Sequence, residues 1–232
     1  MVTIILVLIL VPATVTAKGG AETGPGVTEP IGQDIGVGPG VHPFPDQVST
    51  LGEVVNINLN VYKYSQKSST WRYETMGTTD PEDCGSCTIG GQGCLLTCVA
   101  MVFRYYGDVY ETPKTLNTAM GDYACPFYFF EAENYSNGTA TFYDNDGGLW
   151  PFDYFSVVSF LNAGWPVPCE HERWDGTKWR THWVLFKKCA GDWELASSYW
   201  VVDPNGGTEK RYDVFLGEYP WSSIVLAPYQ HN

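Results

Sequence analysis

The stretch Gly90-Gly91-Gln92-Gly93-Cys94-Leu95-Leu96-Thr97-Cys98-Val99-Ala100-Met101-Val102-Phe103-Arg104-Tyr105-Tyr106 sets a reactive side chain at the mouth of an apolar helix. From Leu95 to Tyr106 the residues are apolar almost all round, which predicts a helix buried on most sides. Cys94 falls in its first turn. A thiol placed there sees the positive end of the helix dipole, which favours the thiolate. The glycines ahead of it allow the backbone to approach closely, so the Cys94 amide and a nearby side-chain donor are expected to form an oxyanion hole.

Outward from this helix, Val55-Asn56-Ile57-Asn58-Leu59-Asn60-Val61 alternates strictly and reads as a strand. Thr112-Pro113 is a good N-cap and N1 pair for a short helix through Met120. Phe152 to Ala163 reads as a third helix, closed by Gly164. The pattern then turns to strands over Pro166 to Glu170, His182 to Lys188, Leu195 to Val202 and Ser223 to Ala227. Helices first and strands afterwards predict an α+β fold.

A cysteine nucleophile needs a base within hydrogen-bond reach, held in orientation by a third group. The chain has four His. His42 lies in a Gly- and Pro-rich stretch and His231 is the penultimate residue, which leaves His171 and His182. His182 opens the strand His182-Trp183-Val184-Leu185-Phe186, and Asp203, before Pro204, ends the next one. Each residue also has a plainer reading: Cys94 as a disulfide partner, His182 as a strand end, Asp203 as a turn former. Their joint occurrence in the order Cys, His, Asp favours chemistry.

Several of these segments resemble the C39-like peptidases, a family with the papain-like cysteine peptidase fold. Gly93-Cys94-Leu95-Leu96-Thr97, then Ala100-Met101-Val102 and Tyr105-Tyr106-Gly107, look like the segment around that family's nucleophile. Thr112-Pro113 with Leu116-Asn117 continues the likeness. Ala163-Gly164-Trp165-Pro166-Val167, His182-Trp183-Val184 and Asp203-Pro204 with Gly206 follow in the right order. The similarity runs from about Gln66 to Gly207. It implies a papain-like fold, with a helical part carrying a buried nucleophile helix followed by an antiparallel sheet. It also implies Cys94 as nucleophile, His182 as base and then acid, and Asp203 as its orienter. The family's oxyanion-hole Gln often lies six residues before the Cys, where this chain has Thr88. In branches with a longer lead-in a Gln stands ahead of a Trp, and Gln66 with Trp71 looks like that pair; Gln92 is the second candidate. Cys98, one turn after Cys94, would block the nucleophile if the two shared a partner.

Composition bounds the rest. The chain has 232 residues, 44% hydrophobic and 15% aromatic, enough for one domain with a substantial core. Its formal charge of −13 repels polyanions, so nucleic acid and anionic membrane surfaces are not expected partners. Met1 to Ala17 carries no charged side chain and ends Val15-Thr16-Ala17, the small residues a signal peptidase prefers. At 17 residues it is shorter than the about 20 a spanning helix wants, and no Lys or Arg precedes the apolar run. It reads as a secretory signal, or else an uncleaved anchor, the only route by which a membrane would enter. Lys18 to Gln47 is a flexible spacer, and the folded domain is expected over 48–232.

An exported chain favours disulfides, and the cysteines number seven: Cys84, Cys87, Cys94, Cys98, Cys125, Cys169 and Cys189. Six in three bridges with the seventh reactive is the expected arrangement. A four-Cys zinc site over Cys84, Cys87, Cys94 and Cys98 is disfavoured by the six residues between the pairs. A redox pair at Cys84 and Cys87 is weaker still. Asn134 and Asn137 each open a glycosylation sequon. Cys169-Glu170-His171-Glu172 is too thin for a metal site. Asp144-Asn145-Asp146-Gly147 resembles part of a calcium loop but has Phe155 at the twelfth position, so it reads as a turn. No metal or cofactor is expected. The function expected is an exported thiol hydrolase with a peptide or protein substrate; the alternatives are a non-catalytic surface-interaction module on the same fold and a cell-wall amidase.

Overall fold

A computed structural model describes residues 54–77, 87–108, 111–218 and 222–232. The segments read as signal and spacer, together with Cys84, lie outside the described residues. The architecture is α+β. Its antiparallel sheet orders as β3 (Trp150–Pro151), β8 (Ser222–Leu226), β4 (Val167–Trp174), β5 (Trp179–Gly191), β6 (Tyr199–Asp203) and β7 (Thr208–Arg211). The first strand of the described chain, β1 (Val55–Asn58), joins this sheet by pairing with the far end of β5, Val55 opposite Gly191 and Asn58 opposite Lys188. A second, two-stranded sheet pairs β2 (Ala140–Phe142) with β9 (Tyr229–His231).

The expected nucleophile helix is α2 (Cys94–Tyr105), and every residue from Leu95 to Phe103 is buried. It packs chiefly against β5, with α3 (Pro113–Met120) beside it. The glycine lead-in is not an open loop. It folds into a helical turn, α1 (Ile89–Gln92), capped by Thr88 Oγ1, which accepts from Gly91 N at 3.2 Å. Two of its glycines are sterically required. A Cβ on Gly90 would lie 2.7 Å from Arg72 O, and one on Gly93 would lie 2.6 Å from Ile89 O. α3 begins where Thr112-Pro113 predicts: Thr112 Oγ1 accepts from Thr115 N at 3.1 Å, and Thr115 Oγ1 accepts from Thr112 N at 2.7 Å. α5 (Tyr154–Asn162) starts two residues later than expected because Asp153 is the cap, accepting from Ser156 N at 2.7 Å. Gly164 follows it with φ of 84°.

The later strands differ in length from their sequence reading. β4 and β5 form a long hairpin, paired from Val167 with Phe186 to Trp174 with Trp179. Its outer part mixes Arg173 and Arg180 with the exposed Trp174 and Trp179, so no hydrophobic alternation marks the strand. Leu195 does not start a strand; a 3₁₀ turn over Ala196–Ser198 precedes β6. Several further elements carried no clear signal. α4 (Phe129–Asn134) is held by aromatic packing of Phe129 on Phe142 and Trp183. β7 is polar, and α6 (Tyr212–Glu218) is short. The Asp144–Gly147 segment is a turn as expected. Asn145 and Gly148 exchange both backbone bonds, and Asp146 and Gly147 take φ of 51° and 84°. No helix among the described residues is long and apolar enough to cross a membrane.

The three-bridge framework does not form. Among the described cysteines, Cys87, Cys94, Cys98, Cys169 and Cys189 are in no disulfide, while Cys125 is disulfide-bonded. Cys98, Cys169 and Cys189 sit on α2, β4 and β5 with no exposed surface. In those places a thiol serves as a small apolar side chain filling the core.

Candidate active site

Cys94 is the first residue of α2 and is half-exposed between the buried Gly93 and Leu95. Gly93 is the N-cap and donates no side-chain cap, so the amides of the first turn point at the space beside the thiol. The Cys94 thiol is hydrogen-bonded to His182 on β5. The other face of that imidazole is tied down: His182 Nε2 lies 2.9 Å from Asp203 Oδ1, which leaves Nδ1 for the thiol. β5 and β6 are neighbours with Leu185 opposite Val202, which brings the end of β6 alongside His182. The expected trio is therefore brought together, each member from a different element.

The electrostatics follow from this contact. Burial opposes a charged His182, but the bonds to Asp203 and Cys94 together outweigh it, and its pKa rises to about 9. Burial likewise pushes the Asp203 carboxyl up, and the contact with His182, the Asn205 amide and Lys210 bring it below its ordinary value. Asp203 Oδ1 accepts from Asn205 N at 2.9 Å, and its Oδ2 lies 3.4 Å from Lys210 Nζ. Lys210 had no signature in the sequence, since it belongs to no motif and lies in a polar run. Only the β6–β7 register places it on the Asp203 face.

Of the two glutamine candidates, Gln66 is the one joined to the site. Its backbone N–H donates to Pro204 O at 2.8 Å, and its Nε2 donates to Gly90 O at 3.2 Å. One residue thus ties the chain just after Asp203 to the chain just before Cys94. The side chain is buried and Oε1 has no partner. Only one amide proton is spent on Gly90, so a second remains to donate. Trp71 Nε1 donates to Ser65 O at 2.9 Å, closing the turn that holds Gln66. Gln92 faces elsewhere, accepting from the Cys87 thiol at 2.6 Å. Thr88 is spent on the α1 cap.

The remaining candidates lie apart from this chemistry. Cys98 is wholly buried below Cys94 and unbridged, and burial pushes its thiol well above the ordinary range. It shares no disulfide with Cys94. His171 is also wholly buried; its Nδ1 lies 3.2 Å from Cys169 O and its Nε2 2.8 Å from Tyr212 Oη. Burial lowers its pKa to about 3, so it is neutral and structural. No group of three or more His, Cys, Asp or Glu among the described residues is arranged to hold a metal ion. His231 packs on Tyr106 at the chain end. A thiol, a charged imidazole and a fixed carboxylate in line can open a carbonyl compound by nucleophilic attack and return a proton to the leaving group. No family model, curated protein or solved structure matches this chain.

Proposed function

We propose that this chain is an exported cysteine hydrolase that cleaves a peptide or other amide bond through an acyl-enzyme on Cys94, and that its α+β fold is papain-like. The observation that carries this reading is the alignment of Cys94, His182 and Asp203 at the end of a buried helix. Three residues far apart in the chain meet there with the donor and acceptor order that thiol hydrolysis requires. A helix N-terminus and a His182 imidazolium held up to about 9 both set positive charge beside the Cys94 sulfur.

The thiolate sulfur attacks the carbonyl carbon, forming an S–C bond and placing negative charge on oxygen. The Cys94 amide and the spare proton of Gln66 Nε2 are the donors for that oxyanion. The C–N bond then breaks as His182 gives its proton to the departing amine, leaving a thioester. Water attacks the thioester carbon while His182 takes the water's proton. The carboxylic acid departs and Cys94 is regenerated. Throughout, Asp203 keeps the imidazole turned toward sulfur. Two features support the papain-like reading: the order of Cys, then His, then Asp along the chain, and a nucleophile helix packed against the antiparallel strand that bears the base.

The test is a thiol map of the native exported protein, labelled with iodoacetamide before and after reduction. Cys94 is expected to label fast near neutral pH, ahead of the buried thiols, and Cys94→Ala is expected to keep the fold and lose hydrolysis of a peptide library. A Cys94 that labels no faster than Cys98 or Cys169 rules the reading out. Cleavage of purified wall fragments in place of polypeptide would move the substrate to the amidase class.

A further inference from the structure

The rim of the site holds a cation that none of the motif residues accounts for. In the β6–β7 ladder Asp203 pairs with Thr208, so Lys210, two residues along β7, lies on the same face as Asp203. Lys210 Nζ is 3.4 Å from Asp203 Oδ2 and 2.6 Å from Glu218 Oε2 on α6. Asp203 Oδ1 takes His182 and the Asn205 amide. The two carboxylate oxygens are thus divided, one serving the imidazole and the other the ammonium. We propose that Lys210 is a positioning residue of this site: it holds the Asp203 carboxylate so that Oδ1 stays on His182, and with Glu218 as its outer anchor it sets how strongly the His182 imidazolium is held. The inference rests on the Cys94–His182–Asp203 reading.

The groups that face His182 leave few other sources of charge. From α2 come Cys94 and, beneath Asp203, Cys98, which burial keeps as a neutral thiol. From β4 comes His171, kept neutral by burial down to about pH 3. α6 contributes Phe215, whose ring centre is 6.2 Å from that of His182. Glu209, the neighbour of Lys210 on β7, is engaged by Lys63 and Lys187 at 2.7 and 3.2 Å. Among the described residues, the charged groups that continue outward from His182 are Asp203, Lys210 and Glu218, in a line that runs to the surface. Lys210 offsets part of the Asp203 charge, and Glu218 offsets part of Lys210.

The signs follow. Removing Lys210 leaves Asp203 more negative toward His182, so the imidazolium persists to higher pH. Removing the Glu218 charge leaves Lys210 more positive, so the imidazolium is lost at lower pH. The experiment measures iodoacetamide alkylation of Cys94 against pH, read by mass spectrometry of the Cys94 peptide. It compares the native chain with Lys210→Met, Lys210→Arg, Glu218→Gln and His182→Ala. Lys210→Met is expected to move the upper limb of the profile up by about one pH unit. Glu218→Gln should move it down by about a few tenths, since that carboxylate is the more solvated. Lys210→Arg should restore the native limb. Opposite directions exclude a general loosening of the fold. Coinciding profiles, or shifts of both variants in one direction, overturn the inference. If His182→Ala flattens the native profile while the Lys210 variants stay on it, the role of Lys210 alone is wrong. If His182→Ala keeps the native profile, the hydrolase reading falls and this inference with it.

Discussion

His171 on β4 and His182 on β5 stand directly opposite one another in the same ladder, yet the two regions hold them in opposite states. Both are largely shielded from water. His171 is bonded to neutral partners, a backbone carbonyl, the Tyr212 hydroxyl and the Cys169 thiol, so burial decides, the neighbouring His182 charge adds to it, and its pKa falls to about 3. His182 meets a carboxylate and a thiol, so its partners decide and its pKa rises to about 9. The Phe215 ring packs against both imidazoles. The lesson is that burial alone does not set the charge of a core histidine. The formal charge of what it touches does.

That contrast breaks most visibly in stability against pH. His171 has a folded pKa below its ordinary 6.5, so its contribution is whole above pH 6.5 and is lost as pH falls toward 3. At about 1.4 kcal/mol per unit this is on the order of several kcal/mol. Urea unfolding between pH 3 and 7 should therefore show an acid limb that is weakened in His171→Gln. Equal pH slopes for the two proteins would mean that His171 is not buried neutral. Glu170 and Glu111, both raised to about 7 by burial, act in the opposite sense, so the difference between native and variant isolates the histidine. For His182 the sign reverses: its contribution is whole below pH 6.5 and is lost as pH rises through about 9.

A smaller effect sharpens the other side of the comparison. Asp203→Asn keeps the shape of the contact and removes its charge, so the His182 imidazole, followed by NMR titration, should fall by about two units toward its ordinary value. A His182 that still titrates near 9 would assign its state to Cys94 instead. The smallest effect concerns Cys98. Cys98→Ala removes a buried sulfur and should cost about 1 kcal/mol in unfolding free energy. The rate and pH profile of Cys94 alkylation should not change. An altered profile would place Cys98 within the reactive group.

Much of this was legible from residue order. The α2 helix announces itself because its apolar character is continuous, and α3 because Thr112-Pro113 is a local capping signal that needs no distant partner. Cys94, His182 and Asp203 were readable as candidates from residue type and order, and Gln66 only through the family resemblance. The outer halves of β4 and β5 were not, since Glu172, Arg173 and Trp174 pair with Thr181, Arg180 and Trp179 across a hairpin with no buried face to pattern them. Lys210 was not, because its partner Asp203 is reached through a strand register that no local pattern encodes. The cysteine count pointed toward three bridges, and the core took most of the thiols as filling instead.

The amino-acid order by itself determined the α+β class, the buried helix that begins at Cys94 and the residues able to do thiol chemistry, because capping, periodicity and side-chain reactivity are properties of short stretches. Tertiary structure alone decided which histidine meets charged partners, which glutamine ties the Asp203 segment to the Cys94 segment, and which lysine lies beside Asp203. Those outcomes depend on what each side chain faces across strands, and a protonation state is fixed by neighbours that the chain brings close only on folding.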